Sequence, residues 1–276
     1  MSVTVGGSER IAEAFESARA DGRRAALMPY MMAGFPDLDQ SLEVGRAYID
    51  GGADLIELGV PFSDPLADGP VIHAAGVAAL RAGVHVADAL SVARAIATEV
   101  PVVVMCYANL VLARGLARFV DMLVEVGASG LIVPDLPLEE APATLEECDR
   151  RGVALVPLVA PTTPDQRLQS IGARARGFLY TVSVTGTTGE RAALDGGLAA
   201  VIARARAHTE VPVAVGFGIG TPAQAAAAAA AGADGVIVGS RLVRAAAESE
   251  DPAAAVGDLV RAFATALRDE PRSPDQ

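Results

Sequence analysis

The sequence contains no lysine, and all 22 of its basic residues are arginine. A Schiff base on a protein side chain, to a carbonyl substrate or to pyridoxal phosphate, requires a lysine amine. The chain therefore cannot form such an adduct on a side chain of its own. Genomic base composition is the favoured cause of the absence, since it also explains the abundant alanine, but the chemical consequence holds for any cause.

Cysteine and long apolar runs are also scarce. The two cysteines, Cys106 and Cys148, provide neither a disulfide framework nor a zinc-ligand spacing. Both are predicted to be reduced thiols of a cytoplasmic protein. The first ten residues are polar and glycine-rich, unlike a secretion signal, and the alanine run Ala225–Ala231 is far too short to span a bilayer.

Basic residues are fewer than acidic residues, and the formal net charge is −12. Such a surface repels a nucleic-acid duplex and an anionic membrane, so neither is an expected partner. A small anionic substrate remains compatible with this charge, because backbone N–H groups bind phosphate without basic side chains.

Eight short apolar runs rich in β-branched residues are predicted to be strands. Their continuous apolar character is typical of strands buried on both faces, as in a parallel sheet. The candidates are Ala26–Met32, Asp54–Leu58, Val100–Tyr107, Gly130–Val133, Val153–Val159, Gly177–Ser183, Val211–Val215 and Gly235–Val238.

Amphipathic stretches that separate these runs are predicted to be helices. They are Leu42–Ile49, Val86–Ala97, Leu116–Val126, Ala143–Arg150, Gln166–Ile171, Leu198–Ala207 and Pro222–Ala230, with Arg10–Ala20 before the first strand and Ala253–Arg268 after the last. Cap-like residues near their starts are Ser41, Asp88, Asp165 and Thr221.

The alternation predicts one domain over residues 1–276, a closed (β/α)₈ TIM barrel with an extra N-terminal helix and a polar tail at about 270–276. An open doubly wound sheet is the alternative. It lacks support because no G-x-G-x-x-G follows the first strand.

Two carboxylates follow or end the second strand. Glu57 lies in an apolar run, where burial raises a carboxyl pKa toward the range useful for proton transfer, although Ile56 could face the barrel interior instead. Asp68 lies in a Pro- and Gly-rich loop that can return to the same barrel opening, or it is simply a turn-forming aspartate.

Glycines follow the last three predicted strands, in the segments 184–189, 216–220 and 239–240. Loops after the seventh and eighth strands, with a short helix N-terminus, form the usual phosphate site of such barrels. These glycines therefore predict phosphate binding, with tight βα turns as the alternative. The histidines His73, His85 and His208 share no metal-ligand spacing, so no metal site is predicted.

The residues from Glu57 to Pro70 read E-L-G-V-P-F-S-D-P-L-A-D-G-P, and this stretch resembles the signature of the tryptophan synthase alpha subunit family at every position. Further matches follow in chain order: Met28–Tyr30, Gly34–Pro36, Tyr107–Asn109, Pro134–Pro137, Ala160–Thr162, Thr188–Gly189, Gly216–Ile219 and Gly239–Ser240.

The resemblance implies a barrel that cleaves indole-3-glycerol phosphate to indole and glyceraldehyde 3-phosphate with no cofactor of its own. It implies that Glu57 is the acid–base residue and that Asp68 binds the indole N–H. The implied phosphate donors are Gly189, Gly218, Gly239 and Ser240, near Thr188. The residues that the resemblance places in or around the indole pocket are Tyr30, Met105, Tyr107, Ile132, Tyr180 and Phe217.

The resemblance also implies a partner. In the family, a beta subunit that carries pyridoxal phosphate receives the indole through a tunnel in an α₂β₂ tetramer, and Pro61, Asp64 and Asn109 match positions near that contact. The loop after the second strand and the segment 184–195 are expected to act as lids.

Met32, His73 and Thr187 depart from the usual family residues, which affects substrate fit and loop ordering rather than the reaction. Three alternatives stay open. They are a free-standing indole-3-glycerol phosphate lyase, another phosphate-binding barrel such as an isomerase or epimerase, and a silent barrel that activates a partner.

Overall fold

The computed structural model describes residues 6–182, 197–216 and 218–268. Within them, β1 to β9 form one parallel sheet: Ala26–Met32, Ile56–Gly59, Val102–Met105, Gly130–Ile132, Ala154–Leu155, Leu158–Val159, Leu179–Val182, Val213–Gly216 and Gly235–Val238. The helices α1 to α12 are Gly7–Ala20, Leu38–Asp50, Pro70–Arg81, Val86–Ile96, Ala108–Leu112, Leu116–Glu125, Pro142–Arg151, Asp165–Gly172, Leu198–Arg206, Pro222–Ala230, Ser240–Glu248 and Pro252–Ala266.

The sheet closes through an interrupted fifth strand. The strand order is β5-β4-β3-β2-β1-β9-β8-β7-β6, so its two ends, β5 and β6, are halves of one extended segment divided at Pro157. Val156 N–H donates to the Leu131 carbonyl at 2.9 Å, and Tyr180 N–H donates to the Pro157 carbonyl at 3.0 Å. One segment thus joins both sheet ends, and the predicted eight-stranded barrel is confirmed.

Side chains alternate between the inside and the outside of the barrel along each strand, as the two-residue period of a strand requires. On β1, Ala26 and Met28 belong to the inner core, whereas Leu27 and Met31 pack outward against the helices. The strands therefore have apolar side chains on both faces.

Helix α1 closes the N-terminal end of the barrel, which explains the extra helix predicted before the first strand. Its buried residues Ile11, Phe15 and Ala18 belong to the inner core. The Phe15 and Phe178 rings lie 6.1 Å apart. The opposite opening, at the C-terminal ends of the strands, is left for a site.

Two Gly-Ala-Asp turns reinforce the closed end of the barrel. Asp54 accepts from Leu27 N–H at 2.7 Å, and Asp234 accepts from Val213 N–H at 2.9 Å, so each aspartate binds the neighbouring strand. Arg23 and Arg19 pair with these carboxylates at 2.6 Å. The turns thus fix strand pairing as well as ending the preceding helices.

Two helices, α3 and α5, occur where none was predicted. Pro70 opens α3 at a first-turn position, where proline's missing N–H and fixed φ are tolerated. In the described ranges no single helix is long and apolar enough to cross a membrane, although α3 and α4 together, bent by 110°, meet those two criteria.

Candidate active site

Glu57 points into the barrel from the middle of β2. Its neighbour Leu55 belongs to the inner core and Ile56 to the outer core, so the alternative in which Ile56 faces the interior is wrong. The Glu57 side chain is only 2% exposed, and its Oε2 atom has no hydrogen-bond partner in the part of the chain described. A buried carboxyl without a partner is costly to ionise and is therefore a candidate for proton transfer.

The environment of Glu57 favours its neutral form. Burial, and to a smaller extent the charge of Asp68, raise the Glu57 pKa from 4.5 to about 8. A carboxyl with a pKa near neutrality can both donate and accept a proton under physiological conditions. This is the property expected of a single acid–base residue.

Asp68 lies at the same opening, held by a tyrosine from the next strand. The Tyr107 hydroxyl donates to Asp68 Oδ1 at 2.7 Å and accepts from Ala67 N–H at 3.1 Å. Burial raises the pKa of Asp68, whereas the Tyr107 hydrogen bond and the charge of His73 lower it. Tyr107 also stacks on Phe62, with ring centroids 5.2 Å apart, so it anchors the loop after β2 at two points.

Both carboxylates line one cavity at the C-terminal end of the barrel. The cavity holds about 680 Å³ of empty space, a volume that includes its open mouth. Its wall is largely apolar and is made of Tyr30, Glu57, Ala67, Asp68, Ile72, Met105, Pro134, Leu158, Tyr180, Gly218, Ile219, Ile237, Gly239 and Ser240.

Two glycines make room for tyrosine side chains in this wall. A Cβ atom on Gly59 would lie 2.0 Å from the Tyr30 hydroxyl oxygen, and one on Gly216 would lie 2.3 Å from the Tyr180 hydroxyl oxygen. Each tyrosine thus leans over the next strand, into space that any larger residue would fill. The absence of a side chain at these positions shapes the cavity.

The far end of the cavity has the features of an anion site. Gly218 has a φ of +85°, a conformation that favours glycine, and it lies in the loop after β8. Gly239 caps α11, whose first residue is Ser240, and both residues line the cavity, so the N-terminus of a helix lies at this end. Such a helix start binds phosphate through backbone amides and the helix dipole.

In the described residues, no group of three or more histidine, cysteine or acidic side chains could hold a metal ion. His85 precedes α4 and His208 follows α9, on separate elements. The site therefore offers carboxylates, hydroxyls and backbone amides as its polar groups.

Comparison with known proteins assigns the family. The family model described as tryptophan synthase alpha chain matches residues 15–270. The chain belongs to the tryptophan synthase alpha chain family. It is therefore similar to an enzyme subunit of tryptophan biosynthesis along nearly its whole length.

Individual relatives agree with this family. The tryptophan synthase alpha chain of Synechococcus sp. (strain CC9902) is 46% identical over 239 residues, which is 86% of this chain and 88% of that one. A Mycobacterium tuberculosis tryptophan synthase structure has a TM-score of 0.88 at 39% identity, covering 95% and 99% of the two chains. The Legionella pneumophila alpha subunit gives 0.85 at 36% identity, covering 94% and 98%.

Most residues that the family resemblance placed at the site line the cavity, including Tyr30, Met105 and Tyr180. Tyr107 reaches it through Asp68, and Ile132 lies in the inner core rather than in the cavity wall. Thr188, Gly189 and Phe217, the departure at Thr187, and the segment 184–195 expected to be a lid lie outside the described residues. The roles of all these residues stay predictions.

Several residues of the cavity wall were not predicted from the sequence. They are Ala67, Ile72, Pro134, Leu158, Ile219 and Ile237. A signal existed for Ile237, because the two-residue alternation along β9 points it inward, into the inner core. Ile72 had no such signal, since its helix α3 was not predicted.

The residues that the tryptophan synthase alpha family places near its partner lie beside the cavity mouth. Asp64 and Asn109 are exposed, whereas Pro61 is buried within the chain. Two large apolar side chains nearby, Leu66 and Leu112, are 81% and 66% exposed. Of the family departures, Met32 is buried beside Tyr30 and Ile72, and His73 is exposed on α3.

Proposed function

We propose that this chain catalyses the alpha reaction of tryptophan synthase, the retro-aldol cleavage of indole-3-glycerol phosphate to indole and D-glyceraldehyde 3-phosphate. The observation that carries the proposal is the unpartnered Glu57 carboxyl, which shares one largely apolar cavity with Asp68 and the α11 N-terminus. An indole ring fits the apolar wall, and a phosphate fits the amide-lined end.

Glu57 acts first as an acid and then as a base. In its neutral form it delivers a proton to C3 of the indole ring, which makes the ring an electron sink. The resulting carboxylate takes the proton of the glycerol hydroxyl next to the ring. The C–O bond becomes a carbonyl, the C–C bond breaks, and its electron pair returns to the ring, so no external reactant is consumed.

Asp68 stabilises the positive charge that develops on the indole nitrogen. Burial raises the Asp68 pKa, but the hydrogen bond from the Tyr107 hydroxyl and the charge of His73 act against that rise, so we assign the ionised state to Asp68. In the described residues, Glu57 Oε2 has no such hydrogen-bond partner. Two nearby carboxyls in different environments can thus hold different protonation states.

The phosphate fixes the position of the substrate. Backbone amides of Gly218, Gly239 and Ser240 are the proposed donors, aided by the positive end of the α11 dipole. Fixing one end of the molecule converts an encounter into a defined orientation of the reacting atoms.

A beta subunit is the proposed partner, and pyridoxal phosphate belongs to that subunit in the proposed α₂β₂ assembly. Exposed Asp64, Asn109, Leu66 and Leu112 near the cavity mouth support a contact on this side. We place the protein in the cytoplasm, where its two buried free thiols, Cys106 and Cys148, stay reduced.

The test is release of indole from indole-3-glycerol phosphate by the purified chain, alone and with a beta subunit. Glu57→Gln is expected to reduce turnover by roughly 10²–10⁴-fold, the usual range for a general acid–base group. Binding of a phosphate-bearing indole ligand should survive. Wild-type turnover by this variant would remove Glu57 from its role, and turnover that needs no beta subunit would favour a free-standing lyase.

A further inference from the structure

The Tyr30 hydroxyl lies directly above Glu57 in the barrel interior. Tyr30 on β1 is the register partner of Glu57 on β2. Its hydroxyl oxygen occupies the place of a side chain at Gly59, the next inward-facing position of β2. Two residues along a strand span about 6.6 Å, so the hydroxyl and the carboxyl belong to one short column.

In the described residues, neither polar group of this column has a hydrogen-bond partner in the protein. Glu57 Oε2 is fully buried and unpaired. The Tyr30 side chain is 6% exposed and lines the cavity, so its hydroxyl faces the space that a ligand would occupy. In contrast, the Tyr48 hydroxyl donates to the Tyr30 carbonyl at 3.1 Å, and the Tyr107 hydroxyl donates to Asp68. Buried polar groups are normally paired, so the unpaired Glu57 oxygen, in the same cavity wall as the Tyr30 hydroxyl, points to a ligand group between them.

The Tyr30 hydroxyl is suited to donate a hydrogen bond while it keeps its proton. Burial and the nearby carboxyls raise its pKa well above the usual 10, which keeps the phenol neutral. Glu57, once ionised, can only accept. A ligand hydroxyl between the two satisfies both, because it donates to Glu57 Oε2 and accepts from Tyr30.

We propose that Tyr30 is a catalytic residue that donates a hydrogen bond to the substrate hydroxyl that Glu57 deprotonates. The inference rests on the proposed function. It adds Tyr30, besides Glu57, as a protein group that contacts the reacting hydroxyl oxygen of the substrate. As the O–H proton passes to Glu57, negative charge develops on this oxygen before the carbonyl forms and the C–C bond breaks. A fixed donor at that atom stabilises the transition state.

This role differs from the one that the family resemblance implies, which treats Tyr30 as part of an apolar pocket. The ring can still pack against indole. The hydroxyl, however, adds a hydrogen bond that only a hydroxyl-bearing substrate can use. Removing the Tyr30 hydroxyl is therefore expected to weaken binding of ligands that carry this hydroxyl and to leave binding of ligands without it unchanged.

The experiment compares two ligands in the full chain carrying Glu57→Gln, which retains intact substrate. One ligand is indole-3-glycerol phosphate, and the other is indole-3-propyl phosphate, which has the same ring and phosphate but no hydroxyl. Adding Tyr30→Phe is expected to weaken binding of the first about tenfold, as loss of one hydrogen bond does, and to leave binding of the second unchanged. With Glu57 intact, Tyr30→Phe should lower kcat/KM by about 10–100-fold.

Thr144→Val is the control, since it removes a buried hydroxyl on α7, outside the cavity wall, and should leave both affinities unchanged. Circular dichroism checks that each variant folds.

Equal weakening of both ligands in the Tyr30→Phe variant, or no weakening of either, would overturn the inference. A wild-type chain that binds the substrate but releases no indole would instead refute the proposed function. The two-ligand comparison would still decide the hydrogen bond in that case.

Discussion

Replacing Glu57 with glutamine should change how the stability of the protein depends on pH. Glutamine resembles the neutral carboxyl in shape but cannot ionise. In the wild type, the folded-state pKa is raised from 4.5 to about 8, so between these values the folded protein binds a proton that the unfolded chain has released. Wild-type stability therefore includes a term that is complete below pH 4.5 and is lost as pH rises toward 8.

The size of this term follows from the two pKa values. At about 1.4 kcal/mol per pH unit, the interval from 4.5 to about 8 corresponds to roughly 5 kcal/mol. This is an upper value, because solvent at the cavity mouth reduces the cost of ionisation. The free energy of unfolding of Glu57→Gln, minus that of wild type, should thus rise by at most about 4 kcal/mol between pH 5 and pH 8.5.

Urea unfolding followed by circular dichroism at several pH values measures this difference. Only the change of this free-energy difference with pH matters, so any pH-independent loss of stability caused by the substitution cancels. Glu125→Gln, on the exposed side of α6, controls for the loss of one negative charge. A difference that stays flat within about 1 kcal/mol would show that Glu57 is hydrated and ionised in the folded protein, and the acid–base argument would fail.

Three further predictions test neighbouring parts of the molecule. Asp68→Asn should lower the Glu57 pKa below about 8, because the substitution removes a negative charge that helps to raise this pKa. ¹³C titration of the Glu57 carboxyl measures the change, and an unchanged pKa would show that the two groups are uncoupled. Tyr107→Phe removes a hydrogen bond to the Asp68 carboxylate, so it should raise the Asp68 pKa and reduce kcat/KM for indole release about tenfold. An unchanged pH–rate profile would contradict the role of Tyr107 in keeping Asp68 ionised. Gly257→Ala in α12 should stabilise the chain by about 0.5–1 kcal/mol in urea unfolding, because alanine favours helix and the new Cβ meets neighbours no closer than 3.6 Å. Gly51→Ala is its contrast and should destabilise the chain, since its Cβ would lie 2.8 Å from Val260.

The strands were the best-predicted part of the fold, for a physical reason. A parallel strand in a barrel is buried on both faces, so its continuous apolar run marks its limits. The bounds of β1, Ala26–Met32, and of β9, Gly235–Val238, match the prediction at both ends. The fifth strand was predicted as unbroken, and its division at Pro157 follows from the missing proline N–H.

Helix starts were predicted less well because several residues near a start can cap it. The prediction of Thr221 as a cap was correct, since its side chain accepts from Gln224 N–H at the start of α10. Ser41 was wrong as a cap: Asp37 caps α2, and Ser41 lies in the second turn, where it accepts from Gly34 N–H at 3.1 Å. Asp88 and Asp165 lie inside the first turn of their helices, and Asp88 caps α4 from there by accepting from His85 N–H at 2.8 Å.

Within the site, strand residues could be predicted but contacts between loops could not. The alternation along β2 decides which of Ile56 and Glu57 faces inward once Leu55 is known to be inside. The hydrogen bond from Tyr107 to Asp68 joins side chains 39 residues apart and depends on how the loop after β2 folds back. Likewise, the room that Gly59 gives to Tyr30 depends on the register between two strands.

Strand β2 shows why the number of partners, rather than burial alone, separates a structural carboxylate from a catalytic one. The Asp54 side chain, just before the strand, is only 6% exposed. Desolvation raises its pKa to about 6, although Leu27 N–H and Arg23 both act to lower it. Glu57, three residues later, lacks such partners among the described residues, and its pKa rises to about 8. The partners of Asp54 make its charge part of the strand pairing at the closed end of the barrel. The missing partners of Glu57 leave its proton available at the open end, where a ligand can complete the set.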